Sequence, residues 1–143
     1  FLADARAQGV AVYFVTNRTA EEEAAPVANL LAQGVEASPG NVMCLGEQGW
    51  PSDKTSRREL VARGHRVLLL VGDDLGDFVP ARRPLAERAA AAEAYQAWWG
   101  TRWIVLPNPM YGSWERAVLR HEPGLSDAQA LQRKFSLVKG FAD

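Results

Sequence analysis

Three aspartates crowd the end of one apolar run. In VLLLVGDDLGDF, residues 67 to 78, five apolar residues lead straight into Asp73, Asp74 and Asp77. Carboxylates set this close repel one another unless a cation or hydrogen-bond donors sit among them. A hard divalent cation such as Mg²⁺ suits the pattern. It takes oxygen ligands, keeps several waters, and is often held by one or two carboxylates plus a substrate phosphate. Gly72 and Gly76 let the backbone approach closely. A solvated acidic turn with helix-capping aspartates is the other reading of the same residues.

Two further groups suit an anion. Thr16-Asn17-Arg18 follows the apolar run VAVYFV and offers a hydroxyl, a carboxamide and a guanidinium. With backbone N–H groups at a strand end, these can cradle an oxyanion. Lys54, in SDKTSRR at the start of a helix, is a fixed cation. Each has a plain structural alternative: a polar turn capped by Thr16, and a solvated surface lysine. Jointly they match phosphoryl transfer, which needs a metal, hydrogen-bond donors and a cation.

The elements that must position these groups follow from patterning. FLADARAQG reads as a helix with Phe1, Leu2 and Ala5 on one face and Gly9 as its stop. VAVYFV (10 to 15) and RVLLLV (66 to 71) read as buried parallel strands. VMCL (42 to 45) reads as a short strand, and RWIVLP (102 to 107) as another, stopped by Pro107-Asn108-Pro109. Thr19 with Glu22 is a capping-box pattern. Pro26 predicts either a kink or a helix restart with Pro26 in the first turn. Ser52 or Asp53 can cap a helix running to about Arg63. Residues 84 to 100 are helical in character, ending at Trp98-Trp99, and a C-terminal helix is expected within 126 to 143. Strands alternating with helices predict an α/β domain with a mainly parallel sheet. Functional groups of such sheets gather beyond the C-terminal strand ends. Residues 16–18, 73–77 and 108–114 are therefore expected on one edge.

Composition narrows the partners. The 143 residues suit one compact domain. A net charge of −1 and a pI near 6.2 give no global positive field for nucleic acid or anionic lipid. No run approaches the length of a membrane span. The single cysteine, Cys44, excludes an internal disulfide, and its neighbours in VMCL favour a buried packing role over a nucleophile. His65 follows the helix stop at Gly64 and reads as a surface or helix-end contact; His121 has no role in the chemistry above.

VYFVTNR, KTSRR, VGDDLGDF and LPNPMYGSWE, in this order, resemble the lipoprotein-type (class C) acid phosphatases of the haloacid dehalogenase superfamily. The likeness runs from the first helix to about Arg120. It implies a three-layer Rossmann-like fold and Mg²⁺-dependent hydrolysis of phosphate monoesters, 5′-nucleotides among them, through an aspartyl-phosphate. Matched motif to motif, it implies that Thr16 hydrogen-bonds the phosphoryl oxygens and that Lys54 offsets charge on nucleophile and phosphate. It makes Asp73 the direct Mg²⁺ ligand, with Asp77 a partner of the metal's waters. Asn17 and Arg18 would line the substrate entrance. Tyr111 matches an aromatic position near the leaving group, where a nucleobase could stack; packing is the alternative for Tyr111 and the favoured role of Trp114. The family is typically exported, as a periplasmic, secreted or outer-membrane lipoprotein. The chain departs from the family in Asp74, where Asn is usual, and in Gly76, where Asp is usual.

A larger departure is an absence. The superfamily's nucleophile lies in a D-x-D motif ending its first, central strand, and these residues contain no D-x-D. The expectation is therefore the C-terminal portion of a single phosphatase domain, lacking that strand, completed by an N-terminal segment of the same protein, and inactive alone. A non-catalytic nucleotide- or phosphate-binding protein, or a storage-type relative, is the alternative function.

Overall fold

The computed structural model describes residues 1–80, 84–120 and 122–137. The chain forms two compact units, Phe1–Val67 and Leu68–Asp143. The first unit contains α1 (Leu2–Ala7), β1 (Phe14–Thr19), α2 (Ala24–Ala32), β2 (Val42–Leu45) and α3 (Thr55–Gly64). β1 and β2 pair in parallel, with Phe14 opposite Val42 and Val15 opposite Met43; the next pair is Thr19 with Leu45. Thr16, Asn17 and Arg18 therefore bulge out against Cys44 alone.

The first strand starts later than its apolar run suggests. Pairing begins at Phe14 because its partner strand begins only at Val42. Ahead of it, Asn41 secures the incoming chain: its Nδ2 donates to the Val12 carbonyl at 3.1 Å, and Phe14 N–H donates to the Asn41 carbonyl at 2.8 Å. Thr16 to Arg18 consequently lie inside the strand and not after it. The Thr19–Glu22 box forms, with Thr19 N–H donating to Glu22 Oε2 at 3.0 Å, but it starts a single 3₁₀ turn. α2 then restarts at Ala24 with Pro26 in its first turn. Asp53 accepts the Thr55 N–H at 2.8 Å at the start of α3. Val42, Met43 and Cys44 are buried in this unit.

The second unit contains β3 (Leu70–Gly72), α4 (Leu85–Ala94), β4 (Trp103–Val105), α5 (Ser113–Val118) and α6 (Asp127–Leu137). β3 and β4 pair in parallel, Leu70 with Trp103 through Gly72 with Val105. Phe78, Val79 and Trp103 form the core, with Leu70, Leu75, Ala91 and Trp99 packed on it. Ring edges meet faces there: Phe78 and Trp99 centroids lie 5.1 Å apart at 76°. Trp99 also donates its indole N–H to the Ala92 carbonyl at 2.7 Å, satisfying its polar tip.

RVLLLV is less buried than its composition suggests. Leu68 is 47% and Val71 48% exposed. β3 has β4 as its sheet neighbour among the described residues, so its opposite edge lacks a covering strand. The helical segment from 84 also divides: α4 stops at Ala94 and Gln96–Trp98 makes a 3₁₀ turn. Ser126 and Gln129 cap α6 reciprocally, at 2.9 and 3.3 Å. His121 and the expected helix beyond 137 lie outside the described residues. Among the described residues β1 pairs with β2 and β3 with β4. None of their helices is long and apolar enough to cross a membrane.

Cys44 is completely buried, and burial, followed by the negative Glu23 and Glu47, pushes its thiol above the ordinary cysteine range. Only a thiolate reacts readily, so a buried thiol held neutral is inert. A thiol reagent should label Cys44 only at the rate at which the fold opens. Fast stoichiometric labelling of the native protein would contradict the packing role.

Candidate functional site

The first unit builds its polar cluster on the β1 bulge. Thr16 is half-buried, while Asn17 and Arg18 are exposed. Arg18 N–H donates to Thr16 Oγ1 at 3.1 Å, which holds the hydroxyl oxygen in place and leaves its O–H to donate elsewhere. The Asn17 carboxamide is gripped at both ends: its Oδ1 accepts from Arg57 Nη2 at 2.7 Å, and its Nδ2 donates to the Ser52 carbonyl at 2.9 Å. Lys54 is half-buried and immediately precedes α3, three residues before Arg57.

Arg57 was not singled out by its sequence context, where an arginine within a helix reads as a solvated face. It is instead fully buried. Nη1 donates to the Thr16 carbonyl at 2.5 Å and the Met43 carbonyl at 3.3 Å, and Nη2 also reaches the Pro51 carbonyl at 3.0 Å. Burial lowers the pKa of this guanidinium below the ordinary arginine value, with nearby negative groups opposing that shift.

In the second unit the three aspartates take three different roles. Asp73 is exposed just past the end of β3, and Asn108 Nδ2 donates to its Oδ2 at 2.6 Å. Asn108 Oδ1 in turn accepts Met110 N–H at 3.1 Å, which shapes the turn that carries Tyr111. Asp77 folds back on the turn, its Oδ2 accepting the N–H groups of Asp73 at 2.9 Å and Asp74 at 3.0 Å. Gly72 is required beneath it, because a Cβ there would collide with the Asp77 side chain. Tyr111 is 67% exposed, whereas the Trp114 indole nitrogen is buried.

Asp74 ties this turn to two helices. Its Oδ1 accepts Gly76 N–H at 2.7 Å and the Ser113 hydroxyl, and its Oδ2 accepts Ser113 N–H at 2.6 Å. Arg88, a buried residue of α4, donates to Ser113 Oγ at 2.8 Å and sets Nη2 4.0 Å from Asp74 Oδ2. Gly112 lets Asp74 come this close: a Cβ there would lie 2.7 Å from Asp74 Oδ2. Burial pushes the Asp74 carboxyl up, but the Ser113 hydroxyl, the Gly76 and Ser113 N–H groups and Arg88 together hold it below the ordinary carboxylate range. Neither Ser113 nor Arg88 was marked by the sequence. The signal available was the extra charge at Asp74, which called for a cation nearby.

The donor set fits a magnesium site of the open kind. Asp73 presents a hard, exposed carboxylate, while Asp74 and Asp77 are committed to the turn. Among the described residues no three His, Cys, Asp or Glu side chains gather as a metal cage. One carboxylate completed by waters and a substrate phosphate is an arrangement that Mg²⁺ accepts.

The model of the HAD superfamily, subfamily IIIB (Acid phosphatase), matches residues 1–114. The chain belongs to this family. The class C acid phosphatase from Bacillus anthracis has a similar solved structure, with a TM-score of 0.87 at 30% identity over 99% of this chain and 59% of that one. A crystal structure of that Bacillus anthracis enzyme with tungstate bound gives a TM-score of 0.88 at 30% identity, over 99% of this chain and 60% of that one. The chain thus spans 59 to 60% of the length of the solved structures it matches. The parallel α/β pairing is that of the haloacid dehalogenase-type phosphatases.

The Asp74 network makes a stability prediction. Asp74→Ala strands the part-buried N–H and O–H donors of Ser113 and removes the counter-charge of Arg88, and should cost about 2 kcal/mol in denaturant unfolding of the complete protein without metal. Because the folded-state pKa is lowered, the contribution is fully present above the ordinary carboxylate value and is lost as pH falls through the folded value. Asp74→Asn should accordingly flatten the acid limb of the stability curve. An acid limb identical to that of the wild type would remove Asp74 from this role.

Proposed function

We propose that the complete protein is a Mg²⁺-dependent acid phosphatase that hydrolyses phosphate monoesters through an aspartyl-phosphate. The observation that carries this reading is the family match over residues 1–114, with a tungstate-bound relative whose oxyanion mimics phosphate. A nucleophilic carboxylate attacks phosphorus, the ester P–O bond breaks, and the leaving alcohol takes a proton. Water then hydrolyses the acyl phosphate and frees inorganic phosphate. The nucleophile belongs to a D-x-D pair that these residues do not contain.

Each unit of the chain supplies part of this chemistry. In the first, the Thr16 hydroxyl donates to a phosphoryl oxygen, and Lys54 offsets charge on phosphate and nucleophile. Asn17 and Arg18 line the substrate entrance, with the Asn17 carboxamide held as a fixed wall by Arg57 and Ser52. In the second, Asp73 would hold Mg²⁺, which when bound neutralises charge developing on the phosphoryl oxygens. Asn108 orients the Asp73 carboxylate, and Asp77 keeps the turn from which it projects. Tyr111, exposed on its loop, offers a face for the nucleobase of a 5′-nucleotide. Export from the cytoplasm is part of the same proposal and rests on the family resemblance.

Asp73→Asn in the complete protein should abolish Mg²⁺-dependent hydrolysis of an aryl phosphate, a loss of at least about 10²-fold in kcat. Unchanged turnover would withdraw the metal assignment, and binding of inorganic phosphate by the wild type without any turnover would favour the non-catalytic alternative. Tyr111→Ala should raise KM for a nucleoside 5′-monophosphate about 10-fold and leave KM for a small alkyl phosphate unchanged. Equal effects on both substrates would exclude base stacking.

A further inference from the structure

The buried guanidinium of Arg57 is out of keeping with a purely structural role. Every hydrogen bond it makes goes to a neutral oxygen: the Thr16, Met43, Pro51 and Ser52 carbonyls and the Asn17 carboxamide. Its Nε is buried with no hydrogen-bond partner. Burying a permanent charge on such terms is costly, and well-packed apolar residues often replace buried ionic groups without loss of stability. What an apolar residue cannot supply is direction, which the rigid planar fork of arginine does.

The direction matters because of where the fork sits. Thr16 to Arg18 oppose Cys44 alone, so the ladder between β1 and β2 is broken there. Nη1 enters this break and joins the Thr16 carbonyl of one strand to the Met43 carbonyl of the other. No peptide bond of the described chain is cis. A planar trans peptide sets its C=O and the following N–H antiparallel. With the Thr16 carbonyl turned to Arg57, the Asn17 N–H must point away from the guanidinium. The positive charge behind the peptide also polarises it and strengthens that N–H as a donor.

We propose that Arg57 is a positioning residue for phosphate: its fork fills the β1 bulge and aligns the Thr16–Asn17 peptide before the anion arrives. The proposal rests on the phosphatase reading and adds to it a residue that touches neither substrate nor metal. Through the Asn17 side chain and the Pro51 and Ser52 carbonyls, the same fork ties the bulge to the segment that leads into Lys54. The donors of Thr16 and Asn17 and the cation of Lys54 then share one anchor.

Arg57→Met and Arg57→Lys in the complete protein test it through three readouts: melting temperature, kcat on an aryl phosphate, and the Asn17 amide NMR shift on adding inorganic phosphate. The expected result for Arg57→Met is a protein that still folds, with a lower melting temperature because the Thr16 and Met43 carbonyls lose their donor, and with kcat lowered about 10²-fold, the loss typical of one misplaced oxyanion donor. The phosphate-induced shift of Asn17 should be lost with it. Arg57→Lys, which keeps the charge without the fork, should not restore kcat. Wild-type kcat in either folded variant would overturn the proposal while leaving the phosphatase reading intact. So would failure of both variants to fold, since the guanidinium would then be a folding element. A wild-type protein that neither turns over an aryl phosphate nor binds inorganic phosphate would overturn both readings together.

Discussion

A guanidinium buried among carbonyl oxygens is the constraint on which the first unit turns. Arg57 reaches β1, β2 and the segment before its own helix with a single planar group. Without a donor at that point the Thr16 and Met43 carbonyls would face the break in the ladder unpaired, and unpaired buried carbonyls are rare for energetic reasons. The bulge, the orientation of Thr16 and the fixed Asn17 carboxamide are therefore one arrangement. The strand is interrupted where polar groups are needed, and the interruption is made tolerable by a side chain from a different element.

The second unit solves an analogous problem with opposite charge. Three aspartates end a short strand, and the structure prevents their repulsion by giving each its own donors. Asp77 turns back onto two backbone N–H groups, Asp74 is enclosed by Ser113, Gly76 and Arg88, and only Asp73 stands in solvent. Asp74 occupies a position where the resembling family usually has Asn. Arg88 answers the added charge, and Ser113 supplies both of its donors to the same carboxylate. The tight approach of Gly112 and Gly72 to these carboxylates shows how closely the backbone is drawn in around them.

Much of the architecture was legible from patterning. VMCL is β2 as read, the Thr19–Glu22 box forms, and strands alternate with helices in parallel pairs; Asp53 accepts the first N–H of α3 from one residue before its N-cap, Lys54. The strand limits were not legible, because a strand extends only as far as its neighbour. VAVYFV could not show that pairing starts at Phe14, since that depends on Val42 lying opposite. Nor could RVLLLV show that Leu68 and Val71 would be half exposed. An apolar residue records a preference for burial, and coverage depends on what lies alongside.

Residue chemistry and order along the chain were enough to name the family: a Thr-Asn-Arg group after an apolar run, a lysine at a helix start, an acidic strand end and an NPMYGSW loop, each a local pattern. Which side chains answer one another was decided only by the tertiary structure. Arg57 lies forty residues from Asn17, Arg88 fourteen from Asp74, and Asn108 thirty-five from Asp73. Nothing in the local sequence distinguishes these three from solvated surface groups. For Arg57 and Arg88 the role arises because folding removes water and leaves protein oxygens as the partners of their polar atoms, whereas Asn108 owes its role to the fold's bringing it beside Asp73.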